Sequence, residues 1–213
     1  MEAYLDNSAT TRVDAQVQEL MKKLMDVDFG NPSSRHQKGV VAEGYIKEAR
    51  QKIAATLKVD PKEFIITSGG TESNNMALIG TALAAKRKGN HIITTAVEHP
   101  SVKATASFLE EQGFRITFLS VDSRGQISLE DLKEALTPDT ILVSIMYVNN
   151  EIGTIQPVEE AAKLVHATVP GAVFHVDAIQ AYGKVMIRPK QQGIDLLSVS
   201  SHTVSYTHLT LPT

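Results

Sequence analysis

The sequence has no cysteine in its 213 residues. That excludes a disulfide framework, a thiolate metal site and a cysteine nucleophile. It has no block of basic residues and a formal net charge of −3, so nothing points to nucleic acid or to an anionic membrane surface as a partner. Long apolar runs are missing too. The longest, over 141–148 (ILVSIMYV), is far too short to span a bilayer. The opening residues, MEAYLDNSATT, carry acids and no apolar stretch, so they do not read as a signal peptide. A cytoplasmic location is the expectation. Neither standard nucleotide fingerprint is present, GxGxxG or GxxxxGK followed by Ser or Thr. This disfavours a nucleotide-binding Rossmann domain.

What is present is ordinary globular composition, 42% hydrophobic and 21% charged. The length fits one domain, or one and part of another. Short apolar, β-branched runs at 64–68, 91–97, 116–121, 141–148, 173–176 and 196–200 read as strands. Helical patterns lie between them, at about 71–88, 101–112, 128–136 and 158–168, with Gly89 and Gly113 as helix stops. Two further helices, near 15–25 and 38–57, come before the first run. Several strands are apolar on both faces, as strands covered by helices on each side should be. The alternation predicts an α/β fold with a mostly parallel sheet.

In such a sheet, ligands bind beyond the carboxyl ends of the strands. The polar residues collect there: SGGTESNN after the first run, EHPS after the second, NNEIG after the fourth, DAIQ after the fifth and SSH after the sixth. Gly69 and Gly70 let the backbone approach a ligand closely, and the helix after them offers free N–H groups to a phosphate, with Thr71 adding a hydroxyl. The same turn also reads as an ordinary tight turn with a Thr or Ser cap. Asp177 ends an apolar strand. It is either a helix cap or a carboxylate that pairs with a cationic ring nitrogen, as pyridoxal phosphate chemistry requires. Gln180 can add an amide hydrogen bond to such a ligand. His99 can stack on a flat ring and move protons, or can be satisfied by backbone groups. Asn149 and Asn150 can recognise an oxygen or simply make a turn. Ser200, Ser201 and His202 are short donors suited to a phosphate.

Taken together, YLDNSATT, FGNPSSRH, TSGGTESNN, EHPSV, ILVSIMYVNNEIGTIQP, FHVDAIQAYGK and DLLSVSSH resemble the cysteine desulfurases. These are class V aminotransferase relatives among the fold-type I pyridoxal phosphate enzymes. The resemblance runs from about Tyr4 to His202. It implies a three-layer α/β/α large domain, mostly parallel and here incomplete. It implies pyridoxal 5′-phosphate as cofactor, L-cysteine as substrate, a homodimer, and a sulfur acceptor or iron–sulfur scaffold protein as partner. Gly70, Thr71, Ser200 and His202 would hold the cofactor phosphate. His99 would stack on the ring and shuttle protons. Asp177 would pair with the ring nitrogen, Gln180 would touch the ring oxygen, and Asn150 would lie near that oxygen and the substrate carboxylate. No metal is implied.

In the family, the residue after Ser-x-His is the lysine that bonds the cofactor covalently. Here it is Thr203. The expectation is therefore that residues 1–202 are the N-terminal part of the large domain and 203–213 a non-native tail, such as an assembly or read-through scar. Such a chain is about half a family member and is expected to be inactive. The rival readings are a fragment of a selenocysteine lyase or class V aminotransferase, and a catalytically dead binding module.

Overall fold

The computed structural model describes residues 3–203. The expected tail, apart from Thr203, lies outside the described residues. The chain divides into two compact units, one holding residues 3–66 and 201–203 and the other residues 67–200.

In the first unit, helix α1 (Ala15–Asp26) starts where Asp14 accepts a hydrogen bond from the Gln16 N–H at 2.9 Å. Helix α2 (Gln37–Leu57) ends on Lys58, which adopts the left-handed conformation at φ 55° and ψ 45°. Its N–H reaches back to the carbonyls of Ala54 and Ala55. A side chain at a left-handed position crowds its own backbone. Lys58→Gly is therefore expected to stabilise this unit by about 1 kcal/mol, read as a higher urea midpoint. An unchanged or lower midpoint would refute this. Past Lys58, Asp60 and Glu63 form a reciprocal capping box around the short 3₁₀ turn Pro61–Glu63. The hydroxyl of Tyr45 ties α2 to the end of α1, donating to Asp28 Oδ2 at 2.7 Å and accepting from Lys23 Nζ at 2.8 Å.

The run at 64–68 departs from the sequence expectation. Phe64 is extended, but no described residue pairs with this run as a strand, and Ile65 and Ile66 are exposed. β-Branched residues favour a pleated surface. A strand also needs a neighbour for its N–H and C=O groups, and none is provided among the described residues.

The second unit holds five parallel strands in the order β2-β1-β3-β4-β5. They are β1 (His91–Thr95), β2 (Arg115–Leu119), β3 (Thr140–Met146), β4 (Val173–Asp177) and β5 (Leu196–Ser198). Helix α3 (Gly70–Ala85) leads into β1. Helices α4 (Pro100–Glu111), α5 (Leu129–Ala135), α6 (Val158–Thr168) and the short α7 (Pro189–Gln192) make the successive crossovers. β1 to β2 steps one way along the sheet, and β3 to β4 to β5 steps the other. Right-handed crossovers that travel in opposite directions land on opposite faces. That puts α4 and α6 on opposite sides, with α3 packed against α4 and α5 against α6. All of β1 and β3 is buried, which accounts for runs with no polar face. The core joins Leu78, Ala82, Ile92, Val102, Leu109, Phe114, Ile141 and Leu142. Gly113, at φ 89°, takes the left-handed turn that ends α4.

Two buried histidines serve the sheet. His91 reaches Thr140 Oγ1 at 2.8 Å and Thr117 Oγ1 at 2.9 Å, joining β1 to β3 and β2. His175 lies between Ser144 Oγ at 2.8 Å and Ser198 Oγ at 3.0 Å, and Ser73 of α3 donates to Ser198 at 2.9 Å. Burial lowers the pKa of His91 to about 4 and that of His175 to about 3. Both imidazoles are therefore neutral partners in hydroxyl networks. At the carboxyl edge, Met146, Asp177 and Ser198 are register partners across β3, β4 and β5.

Candidate functional site

Strand order reverses between β1 and β3. A crevice outside the strand ends is expected at that point. Three turns meet it within the second unit. The loop from β1 carries Glu98 and His99, the loop from β3 carries Asn149 and Asn150, and β4 ends on Asp177.

Asp177 is 4% exposed. Its Oδ1 accepts from the Ile179 N–H at 3.0 Å and its Oδ2 from Asn74 Nδ2 at 2.7 Å. Among the described residues, no lysine or arginine forms an ion pair with it. Burial raises its pKa above the usual carboxylate range, against the opposing effect of these two hydrogen bonds and of nearby His99. A buried carboxylate without a cation is costly, so this position is electrostatically matched to a positively charged ligand group.

His99 caps α4. Its Nδ1 accepts from the Ser101 N–H at 3.1 Å and lies 2.8 Å from Ser101 Oγ. Pro100 follows as the first helical residue, where its missing N–H costs nothing. Asn74 Nδ2 lies 3.1 Å from the same Ser101 Oγ. Asp177 and His99 thus belong to one hydrogen-bonded set.

Gly70 begins α3 and is buried. A Cβ there would collide with Ile179 Cδ1 and come within 4.0 Å of Ser200 Cβ. The glycine therefore brings the helix start against the segment after β4 and the end of β5. Thr71 is exposed in the first turn of α3, beside Glu72, whose carboxylate accepts from the Ser68 N–H. Gln180 is half-buried and its Oε1 accepts from Lys184 Nζ at 3.1 Å. Of the two asparagines, Asn149 is committed to structure. It donates to the Val97 carbonyl at 3.0 Å and accepts from the N–H groups of Glu151 and Ile152. Asn150 is half-buried beside it.

The second unit thus brings Gly70 together with Ser200, and Asp177 together with His99. His202 and Thr203 belong to the first unit. The His202 carbonyl there accepts from Thr11 N at 3.0 Å and from Thr11 Oγ1 at 3.2 Å. Sequence reasoning missed three residues. Asn74 and Ser101 are the links just described. Glu98 is 2% exposed, and its Oε1 accepts from Thr95 Oγ1 at 2.9 Å and from the Met146 N–H at 2.8 Å. Its Oε2 has no hydrogen-bond partner among the described residues. Burial, above all, raises its pKa to about 8.

Known proteins bear on this site. The family described as aminotransferase class-V matches residues 3–205. The cysteine desulfurase IscS of Dictyoglomus turgidum is 49% identical over 201 residues, covering 94% of this chain and 50% of that protein. The putative cysteine desulfurase IscS 1 of Bacillus subtilis is 49% identical over 202 residues, covering 95% of this chain and 53% of its own length. Among solved structures, a NifS-like protein superposes with a TM-score of 0.94 at 41% identity, covering 96% of this chain and 56% of that one. A structure titled SspA in complex with cysteine gives 0.91 at 39% identity, covering 96% and 58%. The chain spans about half the length of the curated relatives it matches.

Proposed function

Because this chain belongs to the class V aminotransferase family, we propose that it carries the cofactor-recognising, amino-terminal half of a cysteine desulfurase. On this reading residues 1–202 come from the large domain and residues 203–213 are a non-native tail. The parent activity is conversion of L-cysteine to L-alanine, with the sulfur passed to an acceptor thiol in iron–sulfur or tRNA-thiolation chemistry. The parent works as a cytoplasmic homodimer. No described helix is long and apolar enough to cross a membrane.

The observation that carries the reading is Asp177, a buried carboxylate held by two neutral donors and, among the described residues, in no ion pair with a lysine or arginine. Pyridoxal 5′-phosphate supplies the matching group, a ring nitrogen that must stay protonated for the ring to withdraw electrons. The donor set suits it otherwise. Gly70 opens α3, whose first-turn N–H groups suit a phosphate, with Thr71 and Ser200 as hydroxyl donors. His99 supplies an imidazole for the ring face and for proton movement. Gln180 and Asn150 supply amides for the ring oxygen and the substrate carboxylate. The assignment of His202 to the phosphate rests on the sequence resemblance. The covalent attachment point does not match, since Thr203 has no amine. The 213 residues also offer no thiol to receive sulfur. Binding is therefore expected to be reversible, and desulfurase turnover by this chain is not expected.

Titration of the chain with pyridoxal 5′-phosphate, followed by visible absorbance, tests this. Saturable binding that dialysis removes is expected. Asp177→Ala should weaken it at least tenfold, about 1.4 kcal/mol. No saturable binding, or equal affinity in the variant, would overturn the assignment.

A further inference from the structure

Asn74 lies on α3 with no exposed surface. Its amide nitrogen carries two hydrogens. One is directed to Asp177 Oδ2 at 2.7 Å and the other to Ser101 Oγ at 3.1 Å. Its Oδ1 is buried and has no hydrogen-bond partner among the described residues. Turning the amide over would set that oxygen against the carboxylate, so Asp177 fixes which way Asn74 faces even though an acceptor is left unsatisfied. The consequence passes to Ser101. A hydroxyl has a single hydrogen. The backbone N–H of Ser101 makes His99 Nδ1 an acceptor, so the Ser101 hydroxyl, which accepts from Asn74, gives its own hydrogen to Nδ1, 2.8 Å away. The Ser101 N–H points at the same ring nitrogen at 3.1 Å. Two donors converge on Nδ1, so Nδ1 is the bare nitrogen and the ring hydrogen sits on Nε2.

We propose that Asn74 and Ser101 are positioning residues, which carry the orientation of Asp177 to His99 and hold that imidazole as the Nε2-protonated tautomer. This deepens the reading above, in which Asp177 and His99 are the two groups that meet the cofactor ring. Neither Asn74 nor Ser101 needs to touch a ligand for this role. Their effect is that His99 exchanges its proton at one nitrogen only, and that displacing the carboxylate disturbs the histidine. Simple capping of α4 by His99 predicts something different. It needs only the Ser101 N–H, and leaves the Ser101 hydroxyl and Asn74 dispensable to the ring.

The experiment uses the full ¹⁵N-labelled chain with no cofactor added. Long-range ¹H–¹⁵N spectra report each imidazole tautomer, and His99→Gln assigns the His99 signals by their loss. The expected pattern has hydrogen on Nε2 and Nδ1 in the unprotonated, hydrogen-bonded range. Ser101→Ala should move the Nδ1 resonance toward that of a free imidazole and admit the second tautomer, while Ser101→Thr should retain the original pattern. Asn74→Ala should shift the same resonance, although it removes no atom bonded to His99. Asp177→Asn supplies the same readout if Asn74→Ala does not fold. Hydrogen on Nδ1 in the unaltered chain would overturn the proposal. So would a His99 signal indifferent to the Ser101 hydroxyl, or to both Asn74→Ala and Asp177→Asn. The spectra contain no cofactor, so a failed pyridoxal phosphate titration leaves this result standing, and the reverse also holds.

Discussion

Thr203→Lys is expected to turn reversible binding of pyridoxal 5′-phosphate into attachment that borohydride makes permanent at residue 203. The unaltered chain should retain nothing there after reduction. A threonine hydroxyl cannot make the carbon–nitrogen bond that a lysine amine makes with the cofactor aldehyde, whereas the groups assigned to hold the cofactor without a covalent bond are already in the chain. Residue 203 is 1% exposed. A longer side chain there will cost stability, of the order of 1–3 kcal/mol by overpacking. Peptide mapping by mass spectrometry after reduction is the measurement. Surface lysines label weakly and at random, so the decisive quantity is enrichment at 203 and its loss when Asp177→Ala is added. Equal labelling at 203 and at the surface lysines would refute the assignment of that position. Turnover should remain absent even in the lysine variant. The chain has no cysteine, and a dithiol in solution lacks the positioning that supplies much of an enzymatic rate.

The second large effect is on stability against pH. Glu98 keeps its proton in the folded chain up to about pH 8, whereas its ordinary value is 4.5. A group whose pKa rises on folding contributes stability that is full below the unfolded value and is lost as pH climbs through the folded one. His91 and His175 work in the opposite sense. Their ordinary value is 6.5, and burial lowers it to about 4 and about 3 respectively. They contribute stability above 6.5 that is lost as pH falls. Each fully mismatched group gives a slope of about 1.4 kcal/mol per pH unit. Below 6.5 the two imidazoles outweigh the one carboxyl. Between 6.5 and 8 Glu98 is the one of these three groups still mismatched.

The chain should therefore be most stable near pH 6.5 and weaken on both sides. Glu98→Gln keeps the shape and the acceptor for Thr95 and Met146 but cannot ionise. It should flatten the alkaline limb and leave the acid limb in place. The new amide introduces an unpaired donor, at about 1–3 kcal/mol, so the variant is expected to start lower and to gain on the unaltered chain as pH rises. Urea midpoints at pH 5, 6.5 and 8 for both proteins decide it. Parallel curves would mean that Glu98 ionises normally.

Why Asn74 escaped the sequence reading while Asp177 did not is a matter of geometry. Asp177 closes an apolar strand, and a strand end is visible in the sequence. The strands 91–95, 140–146 and 173–177 were legible because helices cover both their faces, and that burial writes unbroken apolar runs. Asn74 sits inside a helix, where an amide is ordinarily read as surface. A signal was nonetheless present. The buried residues of α3 are Gly70, Asn74, Leu78 and Ala82, an unbroken i, i+4 stripe with one amide in it. A polar residue on such a stripe must have a buried partner. Glu98 and Ser101 were hidden in a different way, since Glu98 falls in the turn after the run at 91–97 and Ser101 opens the helical pattern at 101–112, where a serine reads as an ordinary helix start. The run at 64–68 shows the limit of propensity, because apolar alternation specifies a willingness to pair and not the pairing itself. The division of labour between Asn149 and Asn150 is also invisible in sequence, because it depends on which amide turns back toward Val97.

The level register of Met146, Asp177 and Ser198 constrains how genes for such chains can change length. Successive side chains on a strand alternate faces, so one codon gained or lost between residues 173 and 177 would send the carboxylate to the opposite side of the sheet. Codons can come and go more freely in surface turns that carry no strand register. Insertions and deletions tolerated by natural selection should therefore cluster in turns of that kind and spare the ends of β3, β4 and β5.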